Sequence, residues 1–337
     1  MSAAISALLR PGRTAVGRCN IKMESGISWY PGHMEKATHE MAQRLKYIDT
    51  VFEVRDARIP FSSINTTLEQ MLQKKRRIII FNKADLADPA NEQKITDFYT
   101  SNRQLVKFFS ASNDTNQDCM NLIRFAINDA PKKKAPTRQI YQTIGGGKNV
   151  EEDYRSVHSM MIMGVPNVGK STIINRMRRA SGVTHKNNVK TGALPGVTRH
   201  ITAFRVSEDP VGYLVDTPGI MLPRINTEDQ EKGLNLILTR AIRDSVIVHP
   251  QTVAEFLIEK LKTMNALDCL EEWGIDPKVD VHPNDNLLTI AKSQGMMTAD
   301  GQYNLETASA FIIDKYRKGE LGRFTLDDID MEIKLRT

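Results

Sequence analysis

The octapeptide Gly164-Val165-Pro166-Asn167-Val168-Gly169-Lys170-Ser171 constrains this chain more than any other stretch of it. It matches G-x-x-x-x-G-K-[ST], follows an apolar run at 160–163 and opens a helical pattern over 172–179. A phosphate-binding loop needs that strand–loop–helix setting. The glycines let the backbone wrap an anion, and the N-terminus of the following helix adds partial positive charge. Asn167, Val168, Gly169, Lys170, Ser171 and Thr172 are the expected phosphate-side contacts. Lys170 is expected to reach the β- and γ-phosphates and act in catalysis, and Ser171 to ligate Mg²⁺.

Such a loop does not choose between purines. Asn82-Lys83-Ala84-Asp85 does, directly after the apolar, β-branched run at 78–81. A carboxylate there accepts from guanine N1–H and N2–H₂, a donor pair that adenine lacks, so Asp85 is the expected specificity residue. Lys83 would cover the base with its stem, and Asn82 would tie the loop to the phosphate side. Ser110-Ala111-Ser112 follows the next strand-like run, 105–109, and brings the Ala111 N–H toward guanine O6, with Ser110 beside it. Asp216-Thr217-Pro218-Gly219 ends another run, 211–215. It offers Asp216 to the Mg²⁺ shell and the Gly219 N–H to the γ-phosphate. Thr198, in Pro195-Gly196-Val197-Thr198, is the second hydroxyl ligand expected for Mg²⁺.

Apolar runs at 51–54, 78–81, 105–109 and 160–163 alternate with helical patterns, which predicts an α/β fold with a doubly wound, mostly parallel sheet. Two more strands are expected at 201–206 and 211–215. A Pro/Lys/Gly-rich stretch, 131–147, reads as a linker. Beyond about 222 the strand signal stops. Val253, Phe256, Leu257 and Leu261 fall on one helical face, as do Leu305, Ala308, Phe311 and Ile312, so a small all-α domain is expected over 223–337, closing in an acidic tail at 327–332.

Charge separates the same regions. The net charge of +6 over 337 residues resolves into +4 for 1–23, +8 for 24–222 and −6 for 223–337. A polyanion-binding surface therefore belongs mostly to the middle segment. Residues 1–23 are rich in Arg, Ala and Ser and free of acids, the composition of a mitochondrial transit peptide, with a disordered basic arm as the alternative. Three scattered cysteines fit neither a disulfide framework nor a zinc site. No run of 18 apolar residues spans a membrane.

The order of the motifs is the reverse of the usual one: the base motifs at 82–85 and 110–112 precede the phosphate and switch motifs at 164–171, 198 and 216–219. No second N-K-x-D follows Gly219. With Trp29-Tyr30-Pro31-Gly32-His33-Met34 and Asp56-Ala57-Arg58-Ile59-Pro60, the chain resembles the circularly permuted GTPases that assist ribosome assembly, and its mitochondrial ribosome-associated members in particular. The resemblance covers roughly 27–335 and implies a circularly permuted P-loop GTPase domain over 24–222. It departs at Ser63-Ile64-Asn65-Thr66, where the family usually has Arg-Asn-Pro.

That resemblance implies a GTPase using GTP/GDP and Mg²⁺. It binds the mitochondrial large ribosomal subunit (rRNA and ribosomal proteins) as an assembly switch, with hydrolysis coupled to release. A GTP-dependent placeholder or translation regulator is the alternative. The implied location is the mitochondrial matrix, with peripheral contact with the inner membrane left open, and the chain is expected to be monomeric. Where many small GTPases have a catalytic glutamine after D-x-x-G, this chain has Ile220, so the resemblance passes catalysis to His33, and it makes Asn167 the residue linked to a stimulating K⁺. The C-terminal helices resemble a ribosome-docking domain, with Lys315, Arg317, Lys318 and Arg323 as its candidate basic patch. Because the switch segment leads straight into those helices, loss of the γ-phosphate is expected to reposition them.

Overall fold

The computed structural model describes residues 41–43, 45–46, 48–128, 158–182, 202–217, 230–242 and 249–337. His33, Thr198, Gly219, Ile220, the linker, the transit-like start and the boundary near 222 lie outside them.

Six strands form one sheet: β1 (Thr50–Asp56), β2 (Arg76–Asn82), β3 (Leu105–Phe109), β4 (His158–Met163), β5 (Thr202–Glu208) and β6 (Val211–Asp216), in the spatial order β3-β2-β1-β4-β6-β5. All neighbours are parallel except β5 and β6, which form an antiparallel hairpin at the edge. The strand leading to the phosphate loop, β4, therefore sits centrally. The base-motif strands lie to one side of it and the D-x-x-G strand, β6, to the other. This meets the expected doubly wound, mostly parallel architecture.

Period-two alternation divides the side chains between two faces. Phe52, Val54, Ile78, Ile80, Met160 and Ile162 pack on one face with α3 (Asn116–Asn128) and α4 (Lys170–Ala180), through Leu122, Ile123, Ile173 and Met177. On the other face, Val51, Met161 and Met163 meet Leu68 and Leu72 of α1 (Thr66–Leu72). Also there, Ile79 and Phe81 meet Ile95, Phe98 and Tyr99 of α2 (Ala90–Ser101). The divergent Ser63-Ile64-Asn65-Thr66 stretch has a local job: Asn65 caps α1, its Oδ1 accepting from Thr67 N (3.0 Å) and Leu68 N (3.3 Å).

β1 is longer than its apolar run suggests because it buries charges in pairs. Arg55 donates to Glu53 (2.6 Å), Glu69 (2.6 Å) and the Tyr99 hydroxyl (2.7 Å), and Arg77 also reaches Glu53 (3.0 Å). Burial opposes ionisation of Glu53, but the two guanidiniums hold its carboxyl below the usual range.

The C-terminal part is helical, as expected: α5 (Gln230–Leu238), α6 (Pro250–Thr263), α7 (Pro283–Ser293), α8 (Leu305–Lys318) and α9 (Ile329–Arg336). Val253, Phe256, Leu257 and Leu261 of α6 are buried, and Ala308 and Ile312 of α8 pack into the same cluster, which is continuous with one face of the sheet. The helices thus share a core with the nucleotide-binding part. Both charged stretches of this part make contacts within the fold. In the closing acidic stretch Asp327 is buried, Asp328 caps α9 and Asp330 pairs with Lys94. The four candidate basic residues each have a partner within the fold. Arg317 donates to the Leu238 and Ile237 carbonyls, Arg323 to those of Ala87 and Ala84, while Lys315 pairs with Glu320 and Lys318 with Asp314.

Candidate nucleotide site

The phosphate loop leaves the C-terminal end of β4 and turns into α4 at Lys170. Gly169 has φ +94, and a Cβ there would lie 2.2 Å from Asn82 Nδ2. Only glycine allows that close approach. Asn167 adopts φ 57 without being glycine, and its Nδ2 donates to the Arg240 carbonyl just past α5 (2.7 Å). Ser171 and Thr172 sit in the first turn of α4, partly exposed, where the helix dipole favours an anion.

Asn82 joins the two halves of the site. Its Nδ2 donates to the Val168 carbonyl (2.7 Å) and its Oδ1 accepts from Ala111 N (3.0 Å). The base loop, the phosphate loop and the serine–alanine loop therefore meet at one buried amide. Lys83 takes a left-handed backbone, φ 62, a region that costs an L-residue about 1–2 kcal/mol, and its ammonium donates to Asp56 Oδ2 (2.7 Å). Asp85 is oriented by Ser110 Oγ (2.6 Å), Asn113 Nδ2 (3.1 Å) and Ser112 Oγ (3.3 Å). The arrangement differs from expectation at Ala111: its N–H is committed to Asn82 rather than turned outward, so a base carbonyl would have to share or replace that bond.

Lys170 is buried and donates to the carbonyls of Val165 (2.7 Å) and Gly164 (3.2 Å), closing the loop on itself. Burial lowers its pKa to about 8, with Asp216 opposing the shift. Burial raises Asp216 to about 6, with Lys170 opposing. Both oxygens of Asp216 are buried with no hydrogen-bond partner among the described residues, an arrangement that a cation would relieve. A carboxylate of this kind, with the Ser171 hydroxyl in the first turn of α4, fits the chemistry of a hard, oxygen-preferring ion such as Mg²⁺. Thr217 Oγ1 donates to the Ile162 carbonyl (2.6 Å), pinning the residue just past β6 to the phosphate-loop strand.

Sequence reasoning missed three contributors. Asp56, within the Asp-Ala-Arg-Ile-Pro stretch, holds Lys83 and is itself chelated by Arg58 through Nε (3.0 Å) and a terminal nitrogen (2.8 Å). These cations keep its carboxyl well below the usual range against the effect of burial. Arg176 on α4 donates to the Ser112 and Asp114 carbonyls, linking the phosphate helix to the base side. Residues 323–327 run along the outside of the base loop. Asp56 was visible in its motif without a role; for the other two the sequence carries no local signal.

A family described as "50S ribosome-binding GTPase" matches residues 159–276. The chain is 34% identical to Ribosome biogenesis GTPase A of Bacillus pumilus over 89% of this chain and 98% of that protein. It is 31% identical to Mitochondrial GTPase 1 of Schizosaccharomyces pombe, covering 94% of each, and 31% identical to Mitochondrial ribosome-associated GTPase 1 of Mus musculus, covering 89% of each. The GNP-bound crystal structure of YlqF from T. maritima shares the fold at a TM-score of 0.55 with 19% identity, over 88% of this chain and 99% of that one. Joined by the Asn82 bridge and ordered base motif first, the loops of this chain place it in the family of circularly permuted GTPases to which these relatives belong, enzymes that bind guanine nucleotide and hydrolyse GTP.

Proposed function

We propose that this chain is a mitochondrial GTPase that binds the large ribosomal subunit as a maturation switch, with GTP hydrolysis coupled to release. The observation that carries the reading is the Asn82 side chain, which bonds the phosphate loop 86 residues downstream and the Ala111 amide at once. One guanine nucleotide can then lie across Asp85 at the base end and Lys170 at the phosphate end. Support for the ribosome and the organelle comes from the relatives' names and the transit-like composition of 1–23.

Within that reading, Lys83 covers the base while Asp85 accepts from its N1–H and N2–H₂. Lys170 exchanges its two carbonyl partners for phosphate oxygens, which suits a lysine whose burial is relieved by an incoming anion. Ser171, Asp216 and Thr198 would hold Mg²⁺, which supplies charge neutralisation at the β- and γ-phosphates. The Gly219 N–H would sense the γ-phosphate, His33 would orient the attacking water, and Asn167 would accompany a K⁺ ion. The helical part contacts the phosphate loop through the Arg240 carbonyl, a route by which γ-phosphate loss could reach it.

GTP turnover measured with and without mitochondrial large ribosomal subunits, together with co-sedimentation in each nucleotide state, tests the proposal. We expect subunits to accelerate turnover at least about tenfold, the scale on which trans-acting partners work, and binding to weaken after hydrolysis. Nucleotide-dependent binding without acceleration would favour the placeholder role. Absence of both would remove the ribosome from the account.

A further inference from the structure

The base-recognition loop has a brace outside the sheet. Residues Ala84–Leu86 form a single 3-10 turn with no fully buried residue of its own, so the turn that carries Asp85 meets the core only through the partly buried Ala84. The turn itself uses only the Ala84 carbonyl, which accepts from Ala87 N (3.3 Å), so its last carbonyls remain open, and partners arrive from residues 323–325, more than 230 positions away. Arg323 donates through Nε to the Ala87 carbonyl (3.0 Å) and through a terminal nitrogen to that of Ala84 (2.9 Å). Phe324 N donates to the Leu86 carbonyl (3.1 Å), and Thr325 Oγ1 accepts from Asp88 N (3.2 Å). Five consecutive residues, 84–88, therefore receive four bonds from one short segment.

The brace is fixed at both ends. Leu326 N donates to the Arg58 carbonyl (2.8 Å), and the buried Asp327 carboxylate accepts from Phe61 N (2.7 Å), Ser62 N (2.8 Å) and Asn235 Nδ2 (3.1 Å). At the other end, Gly319 lies so close to Leu86 that a Cβ would stand 2.5 Å from Leu86 Cδ2. Arg58 in turn lies 5.5 Å from the Tyr316 ring and chelates the Asp56 that holds Lys83. The turn that carries Asp85 and the Asp56–Arg58 pair that holds Lys83 are thus both in contact with the C-terminal part.

We infer that residues 323–327 are a positioning element for guanine recognition, with Arg323 as its principal side chain. Because the brace acts at the base end, it sets affinity for GDP and for GTP alike rather than telling them apart. By linkage, bound guanine nucleotide strengthens the attachment of the strap, and a partner that draws the strap off 84–88 loosens either nucleotide by the same factor. The inference rests on Asp85 reading the base.

Dissociation constants for GDP, a non-hydrolysable GTP analogue, IDP and ADP, measured on the full chain and on Arg323→Ala, Arg323→Lys and Thr325→Val, test it. Inosine lacks the 2-amino group, so the GDP/IDP ratio reports one bond to Asp85, a readout that a merely structural loss of affinity leaves unchanged. Loss of the two charged bonds in Arg323→Ala is expected to weaken GDP and the GTP analogue about tenfold each. The same change should compress the GDP/IDP ratio about threefold, as expected for coupled contacts. Arg323→Lys should recover part of both effects. The isosteric Thr325→Val should show them in milder form, which keeps the test available if Arg323→Ala does not fold. An unchanged GDP/IDP ratio in Arg323→Ala and Thr325→Val, in a parent chain that prefers GDP over IDP and ADP, would overturn the strap's role and leave the guanine reading intact. A parent chain without that preference would overturn both.

Discussion

The phosphate end and the base end of the nucleotide site are built on different principles. The loop at the phosphate end is one continuous segment, 164–172, whose geometry follows from two glycines, a strand before and a helix after. The base end is assembled from 82–88, 110–114, Asp56 and the strap at 323–327, held by side-chain and backbone bonds between residues far apart in sequence. A local motif can be moved along a chain without losing its shape. A non-local one must find its supports wherever the new chain order leaves them, and in this permuted chain part of that support comes from the segment between the last two helices.

If that contrast is right, the largest effect should follow from damage at the buried amide where the ends meet. Gly169→Val would drive a side chain into Asn82 and strain a backbone at φ +94, so we expect nucleotide binding to be lost outright by equilibrium fluorescence titration. Asn82→Ala keeps both loops but removes their shared bonds, and two buried hydrogen bonds at about 1–3 kcal/mol each, once unsatisfied, should weaken guanine nucleotide at least about thirtyfold and lower the melting temperature. Normal affinity in Asn82→Ala would mean that the two ends are independently stable.

Asp56→Asn sharpens the comparison, because it touches only the base end. It releases Lys83 and strips Arg58 of its charge partner, and removal of one member of a buried pair costs about 3–5 kcal/mol, so chemical denaturation should show a clear loss. The pH dependence has a defined sign. The folded-state pKa of Asp56 is lowered, so its contribution is present above the ordinary carboxylate value of about 4 and is lost as pH falls below it. Acid unfolding of the parent chain should therefore steepen below about pH 4, and this component should be missing from Asp56→Asn. The smallest effect belongs to the exposed Lys94–Asp330 pair: Asp330→Ala should change stability by less than about 1 kcal/mol, a control showing that only the buried C-terminal contacts matter to the site.

The same contrast explains what the sequence discloses. β3 coincides with its apolar run, and Asn82 ties the base loop to the phosphate loop as its motif implied. β1 outruns its apolar core because Arg55 and Asp56 are buried in pairs whose partners, Glu69, Tyr99 and Lys83, lie elsewhere in the chain. The strap is illegible for a stronger reason. Two of its bonds use backbone N–H groups that any residue except proline carries, and Arg323 looks like any surface arginine until the fold sets it beside Ala84 and Ala87. Charge is equally silent in the same region: nothing in the acidic run tells that Asp327 is buried.

One substitution tests most directly whether a single guanine nucleotide spans Asp85 and Lys170. Asp85→Asn replaces an acceptor of two N–H bonds with an amide that suits xanthine, whose C2 carries a carbonyl where guanine carries the amino group. Steady-state turnover should fall by two orders of magnitude or more for GTP at low concentration, about 3 kcal/mol of lost recognition, and appear for XTP, with Lys170→Ala abolishing both. Unchanged GTP turnover in Asp85→Asn, with XTP still refused, would contradict the account.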